Sequence, residues 1–421
     1  MKKFKSHQIC TSSLLLWSCI SHAQNFATNK PFDLLVSVNG SYVFDQDLMV
    51  GGDQSGYLGY SSVNNMFNAL SGSKLGSINP GYNDDSAAMI RLGYRGLPLI
   101  LETQANSPAI TLMIPALNEV HVFDAQATRD LNRDDLKEYL KNSRGNILDR
   151  LQKALARYSP IDPVAGNPGS MQFQMVASDF ERGFASKASS IKNNNGAALG
   201  LRLGRYSSGS LSNSIYTLPL SYSWEVGEER KDELMLALPI SYGAVGGAKS
   251  FGANIGLGYK KSINDSWSLT PSIGYGISGS VDLGSVASMV SGSLTSNYVM
   301  DFPGYSIALG NMIGVYQTLK LSGGGYSSNP DIRNHIFRNG IMLAKPLPLS
   351  FFGSKASIEL SYVNTIYTGS DIYSKKYHEF GITLGTDRRE ESDSQNMRVG
   401  LNYLKGENGI HGFSVSFGYW F

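Results

Sequence analysis

The sequence predicts an all-β transmembrane fold: an antiparallel β-barrel of about 12 strands, preceded by helices and by a small soluble β-rich N-terminal module. Three observations carry that prediction. The second half repeats short segments in which large apolar residues alternate with small or polar ones at a period of two. Many of the apolar rows carry Tyr or Trp near one end. The composition is rich in Gly (46) and Tyr (23) but only 17% charged, against roughly 25% in an average soluble chain. Past residue 24 no stretch approaches the roughly 18 consecutive apolar residues of a membrane helix, which excludes helical transporters and receptors.

Residues 1–23 read as a signal peptide. Lys2, Lys3 and Lys5 give a cationic start, Ile9 to Trp17 a short apolar stretch, and Ser21-His22-Ala23 the small residues of a cleavage site before Gln24. An alternative is a lipoprotein signal with Cys19 as the lipidated first residue, a pattern that the bulky Trp17 fits poorly. Both cysteines, Cys10 and Cys19, fall in this segment, so a processed chain has no disulfide, thiol nucleophile or cysteine-bound metal. Removing the three lysines leaves 33 of 36 basic residues against 34 acidic ones. That near-neutral balance implies no nucleic-acid partner.

Residues 24–124 form the module, with strand-like runs at 33–44, 87–94, 97–104 and 109–115 separated by Asn-, Gly- and Ser-rich loops. Residues 125–190 switch to a helical period. Asn132 is expected to cap a helix with Asp134 and Asp135 in its first turn, Leu131 stapling onto Leu136. Ile147, Leu148, Leu151, Leu155 and Tyr158 form an apolar stripe that Pro160 and Pro163 end. A further helix, capped by Ser170, feeds directly into the first barrel strand, where it is placed to lie inside the lumen and block it.

Residues 191–421 are the barrel, with strands expected at 197–206, 214–226, 233–243, 251–261, 266–278, 293–301, 305–318, 332–345, 354–367, 376–386, 395–404 and 411–421. Trp267, Leu269, Ile273, Tyr275 and Ile277 alternate with Ser268, Thr270, Ser272, Gly274 and Gly276. The last segment sets Phe413, Val415, Phe417, Tyr419 and Phe421 against Ser414, Ser416 and Gly418. Such a row alone fits a soluble sandwich equally well. Its repetition, with Tyr222, Trp224, Tyr242, Tyr259, Tyr275, Tyr362, Tyr403 and Tyr419 near row ends, fits strands whose apolar face meets lipid and whose rings sit at headgroup level. The sixth and eighth strands alternate poorly, leaving 10 to 14 strands open. With an even count both barrel ends share one side, and 279–292, 319–331 and 368–375 become outer loops.

A signal peptide, an N-terminal region, a linker helix, about twelve amphipathic strands and a closing FSVSFGYWF ending in Phe421 resemble the translocator domain of autotransporters, the type V secretion system of Gram-negative bacteria. The likeness covers roughly residues 165–421 and is nearest to solitary autotransporter-type barrels with a short N-terminal region. It implies an outer-membrane location, with Phe413, Val415, Phe417, Tyr419 and Phe421 as the assembly signal read by the barrel-insertion machinery. Implied partners are periplasmic chaperones, outer-membrane lipid and lipopolysaccharide. The module is then periplasmic or surface exposed. The resemblance also raises self-cleavage at Asn193, Asn194 or Asn195, although the flanking residues do not match that chemistry and Asn-Gly is an ordinary turn.

The inward charges Arg202, Glu225, Lys260, Lys355, Glu359, Glu379 and Arg398 are placed to solvate the lumen, hold a helix or set ion preference. No catalytic, cofactor or metal constellation emerges from His121, His335, His378 and His411, and no G-x-S-x-G elbow or zinc-ligand spacing is present. The expected function is an autotransporter-like barrel that anchors or displays its own short module. A porin-like channel for small solutes and an outer-membrane hydrolase are the alternatives.

Overall fold

The computed structural model describes residues 26–42, 57–141, 147–184, 196–226, 232–323, 326–351, 354–387 and 396–420. The expected signal segment, Asn193 to Asn195 and Phe421 lie outside them.

The N-terminal region is one antiparallel sheet with helices against it. Its strands are β1 (Phe32–Val38), β2 (Ser41–Tyr42), β3 (Leu58–Tyr60), β4 (Ala88–Tyr94), β5 (Leu97–Thr103), β6 (Ile110–Ile114) and β7 (Glu119–Phe123), ordered β2-β1-β4-β5-β6-β7 with β3 also on β1. The runs at 87–94, 97–104 and 109–115 are strands close to their expected limits, whereas 33–44 is broken by a turn at Asn39-Gly40 into β1 and β2, which pair antiparallel. Helices α1 (Val63–Ala69) and α2 (Gly72–Ile78) occupy what reads as loop, because Met66, Phe67 and Leu75 fold under the sheet. Helix α3 (Arg129–Lys141) starts a turn earlier than expected. The Thr128 hydroxyl accepts from the Leu131 backbone N–H, so Asn132 is not the cap but lies inside the helix. Its buried amide bonds the Pro108 and Gln126 carbonyls, and Leu131 is 48% exposed and staples nothing. Helix α4 (Ile147–Tyr158) buries Ile147, Leu151 and Leu155 as its stripe requires. Helix α5 (Met171–Gly183) is capped by the Ser170 hydroxyl, which accepts from the Phe173 N–H.

Twelve antiparallel spans close the barrel. The first is β8 (Gly196–Ser208). The second comprises β9 (Leu211–Leu218) and β10 (Leu220–Val226), and the third β11 (Asp232–Ala237) and β12 (Ile240–Val245). Each is interrupted at a proline, Pro219 or Pro239, which has no N–H to give the ladder yet still accepts through its carbonyl, from Gly200 and Asn254 respectively. Then follow β13 (Ala248–Ser262), β14 (Trp267–Ser280), β15 (Ser285–Phe302) and β16 (Tyr305–Leu319). A small hairpin, β17 (Leu321–Gly323) and β18 (Tyr326–Ser328), stands before β19 (Arg333–Phe351), β20 (Ser354–Gly369), β21 (Lys376–Thr386), β22 (Asn396–Gly406) and β23 (His411–Trp420). The expected loop 279–292 is largely ladder, since β15 begins at Ser285 and turns Ala287, Met289 and Ser291 into the barrel. Strand β23 pairs with β8, Phe417 opposite Leu201, so no edge remains.

The two faces of this sheet differ as two solvents would require. Leu199, Leu201, Leu203, Ile255, Ile273, Ile313, Phe337, Ile341, Leu360, Phe380, Leu401, Phe413 and Phe417 are all exposed on the outside, an apolar belt that water would not support. No helix of the described residues is long and apolar enough to cross a membrane. The fold is therefore a transmembrane barrel of the outer-membrane type, its outward rows in hydrocarbon. Leu201→Arg is expected to lower stability by about 2–4 kcal/mol at mid-bilayer depth, read from urea unfolding in lipid vesicles. The wild-type chain should require detergent or lipid to remain monodisperse; monodispersity in plain buffer would overturn the membrane assignment.

Candidate functional site

The interior is filled, and many inward positions are Gly or Ser where the filling comes close. Helix α5 is almost wholly buried, and its side chains touch strands all round the wall. Gln174 meets Thr217 on β9, and Gln172 meets Asn334 on β19 at 2.9 Å. Phe173 packs edge-on against Tyr377 of β21 at 5.2 Å, and the Arg338 guanidinium of β19 lies over Phe180. Side chains at two of the inward glycines would collide with the helix. A Cβ on Gly276 would lie 2.7 Å from the Met175 sulfur, and one on Gly340 2.9 Å from the Phe180 ring. The alternation of apolar with Gly and Ser thus records two demands, lipid outside and a helix inside.

A polar cluster fixes the helix in depth. Asp179 pairs with Arg182 one turn on, and accepts from the Tyr316 hydroxyl at 2.6 Å and the Ser291 hydroxyl at 3.1 Å. Both charged side chains are nearly inaccessible. In a low-dielectric interior such a set is favourable only when every member is matched. Sequence reading passed over Asp179 and Arg182; their i, i+3 spacing of opposite charges was the available signal.

Of the charges singled out in the sequence, several are paired. Arg202 meets Glu181 of α5 at 2.6 Å, Lys260 meets Glu233 at 2.9 Å, Glu379 meets Arg338 at 2.8 Å, and Arg398 meets Glu359. Glu225 stands opposite Glu233 in the ladder and is exposed, and Lys355 is exposed near the start of β20. Phe413, Val415 and Phe417 face outward, and Tyr419 occupies the next outward register position opposite Met397. His121 stacks on Tyr139, and His378 meets Tyr362 and Asn364. Among the described residues no group of three or more His, Cys, Asp or Glu side chains is placed to hold a metal.

The N-terminal sheet sits on one rim of the barrel. Its hydrophobic core continues into Leu211, Val245, Ala248 and Leu283, which belong to the turns and strand ends of that rim. Val63 N–H donates to the Asp282 carbonyl at 2.8 Å, Ser210 donates to the Phe26 and Thr28 carbonyls, and Tyr373 N–H to Ala156 O at 2.8 Å. Lys153 and Arg157 of α4 reach Asp331 and Asp371. This rim carries the connections 209–210, 246–247, 281–284, 320–332, 370–375 and 407–410, whereas β8 begins and β23 ends at the opposite rim. Helix α5 runs from one towards the other: Gly166 accepts from Tyr377 near the capped rim, and Phe184 lies against Gly310 and Gly340 farther in.

One buried ion pair joins sheet and plug. Arg95 and Gly96 form the two-residue β4–β5 turn in left-handed backbone, φ 53° and 88°, as such hairpins require. The Arg95 side chain is fully buried and lies 3.4 Å from Asp162, in the segment leading into α5. The other Asp162 oxygen accepts from Val164 and Ala165 N–H. Burial pushes the Asp162 carboxyl above its ordinary range, with Arg95 pulling the other way.

No protein-family model matches the chain, and no curated protein does. Solved structures similar to it include the beta domain of the Bordetella autotransporter BrkA, at 12% identity over 54% of this chain and 99% of that chain, TM-score 0.42. The translocator domain of autotransporter NalP from Neisseria meningitidis is 13% identical over 59% of this chain and 95% of that one, TM-score 0.42. The KdgM porin in complex with disordered oligogalacturonate is 12% identical over 53% and 98%, TM-score 0.33. At this identity the likeness concerns the barrel fold alone.

Asp179→Ala, which strands Arg182 and the Tyr316 hydroxyl, should cost about 3–5 kcal/mol, measured by denaturant unfolding in detergent. Arg95→Met alone should cost a similar about 3–5 kcal/mol by leaving Asp162 buried and unpaired, and the double variant with Asp162→Asn should recover most of it.

Proposed function

We propose that this protein is an autotransporter-type outer-membrane anchor that holds its own N-terminal module at the outer mouth of the barrel. The observation that carries the reading is the path of the chain. The module docks on the rim opposite the two barrel termini, and α5 leads from it through the lumen towards β8. A barrel with an even number of strands has both termini on one side, the periplasmic side in outer-membrane barrels with short inner turns. The rim beneath the module is then the external one.

A filled lumen and a covered mouth favour anchoring over solute conduction. The module's core is continuous with rim residues, and the linking Arg95–Asp162 pair is buried, which favours a permanently seated module over a released one. On this reading the charges on the inner wall serve to hold α5 and neighbouring strands in register rather than to select ions.

Protease treatment of intact cells, followed with an antibody against residues 57–141, tests the orientation: the module should be reached without permeabilising the outer membrane. Protection until permeabilisation would overturn the reading. In planar bilayers the full chain should pass little current, while a chain starting near residue 190 should open; equal, large conductance from both would favour a porin.

A further inference from the structure

The outward face of the barrel is apolar on most spans, but one hydrogen-bonded row breaks the pattern. Register pairs Ser296 with Asn311, Asn311 with Asn339, Asn339 with Asn364, Asn364 with His378 and His378 with Lys405. Residues in register share a face, so these side chains form a polar stripe crossing β15, β16, β19, β20, β21 and β22. It is not at the water line throughout. Along β16, Asn311 stands between outward Ile307 and Leu309 on one side and Ile313 and Val315 on the other. Asn339 stands between Phe337 and Ile341, which are 46% and 45% exposed. Together with inward Val299, Ile336 and Met342, these residues blur the alternation of the sixth and eighth spans in sequence.

Ser296, Asn364 and His378, on either side of the middle of the stripe, are matched within the chain. Ser296 accepts from the Trp267 indole at 3.0 Å, Asn364 donates to the Tyr377 carbonyl at 3.3 Å, and the His378 Nδ1 lies 2.8 Å from the Tyr362 hydroxyl. In the middle, Asn311 and Asn339 are exposed, and neither side chain makes a hydrogen bond among the described residues. Lipid tails offer an amide no partner, and at mid-row the headgroups are out of reach.

We propose that this wall is the interface between two copies of the barrel, related by a two-fold axis along the membrane normal passing near Asn339. An amide supplies one donor set and one acceptor, so it complements its own symmetry mate, which is what an isologous contact needs. Beside Asn311 the outward position of β15 is Ser296, and Gly292 lies farther along past Leu294, two small residues where the walls can approach closely. The opposite wall, with outward Leu199, Leu201 and Leu203 on β8, has no such row and belongs in lipid.

The test uses the full chain in native outer membranes. Ile341→Cys, one outward position from Asn339, should give a disulfide-linked dimer under mild oxidation, and Leu201→Cys should not. In lipid nanodiscs the wild type should be dimeric by mass. Asn311→Leu with Asn339→Leu should weaken the dimer tenfold or more while keeping the heat-modifiable gel mobility of a folded barrel. A monomeric wild type without a crosslink at 341, equal crosslinking at 201, or a crosslinked product joined to a polypeptide of another mass would each overturn the proposal.

Discussion

Hydrocarbon tolerates no unpaired backbone group, and every other feature of this molecule is arranged around that requirement. The seam between β23 and β8 meets it by joining the last span to the first through ten successive register pairs, from His411–Ser207 to Trp420–Ala198. Closure has a geometric consequence, because once the sheet returns on itself each span has one face committed to the lumen. The two prolines in the second and third spans are tolerated under the same rule, since their carbonyls stay in the ladder.

What fills the lumen then decides the composition of half the chain. A helix of 13 residues, about 20 Å long, needs room that inward glycines such as Gly276 and Gly340 leave beside it. Gly and Ser inside and Leu, Ile and Phe outside are therefore one design read from two sides. Polar residues at the helix surface find partners on the wall or the helix: Asp179 meets Tyr316, Ser291 and Arg182, the Gln172 amide donates to Asn334, and Glu181 meets Arg202. Such matching confers depth and rotation on the helix, whereas the apolar contacts of Phe173 and Phe180 supply burial without register.

The N-terminal sheet is tied into the same construction. Its core does not close by itself but runs into rim residues such as Leu211 and Ala248, and Arg95 of a hairpin turn reaches the segment that becomes the plug. Sheet, plug and barrel therefore share one set of contacts. Glu119, bonded to Tyr139 and Arg150, ties the outermost strand β7 to both α3 and α4 in turn.

Repeated alternation with aromatic residues at the row ends revealed the barrel, because a period of two is a local record of which solvent meets each face, and local records survive in a linear chain. The limits of most spans, the helical stripe Ile147–Leu151–Leu155 and the Ser170 cap were legible for the same reason. Tertiary structure decided the rest. Thr128 and Asn132 are both acceptable caps locally, and the contact that places Asn132 inside the helix, with the Pro108 carbonyl 24 residues away, comes from the fold. Nor does the chain announce that Asp179 faces Tyr316, 137 residues away, or that Asn311, Asn339 and Asn364 stand in one row. Those relations depend on strand register, which arises from closing the sheet and from what lies within it, and no window of sequence contains it.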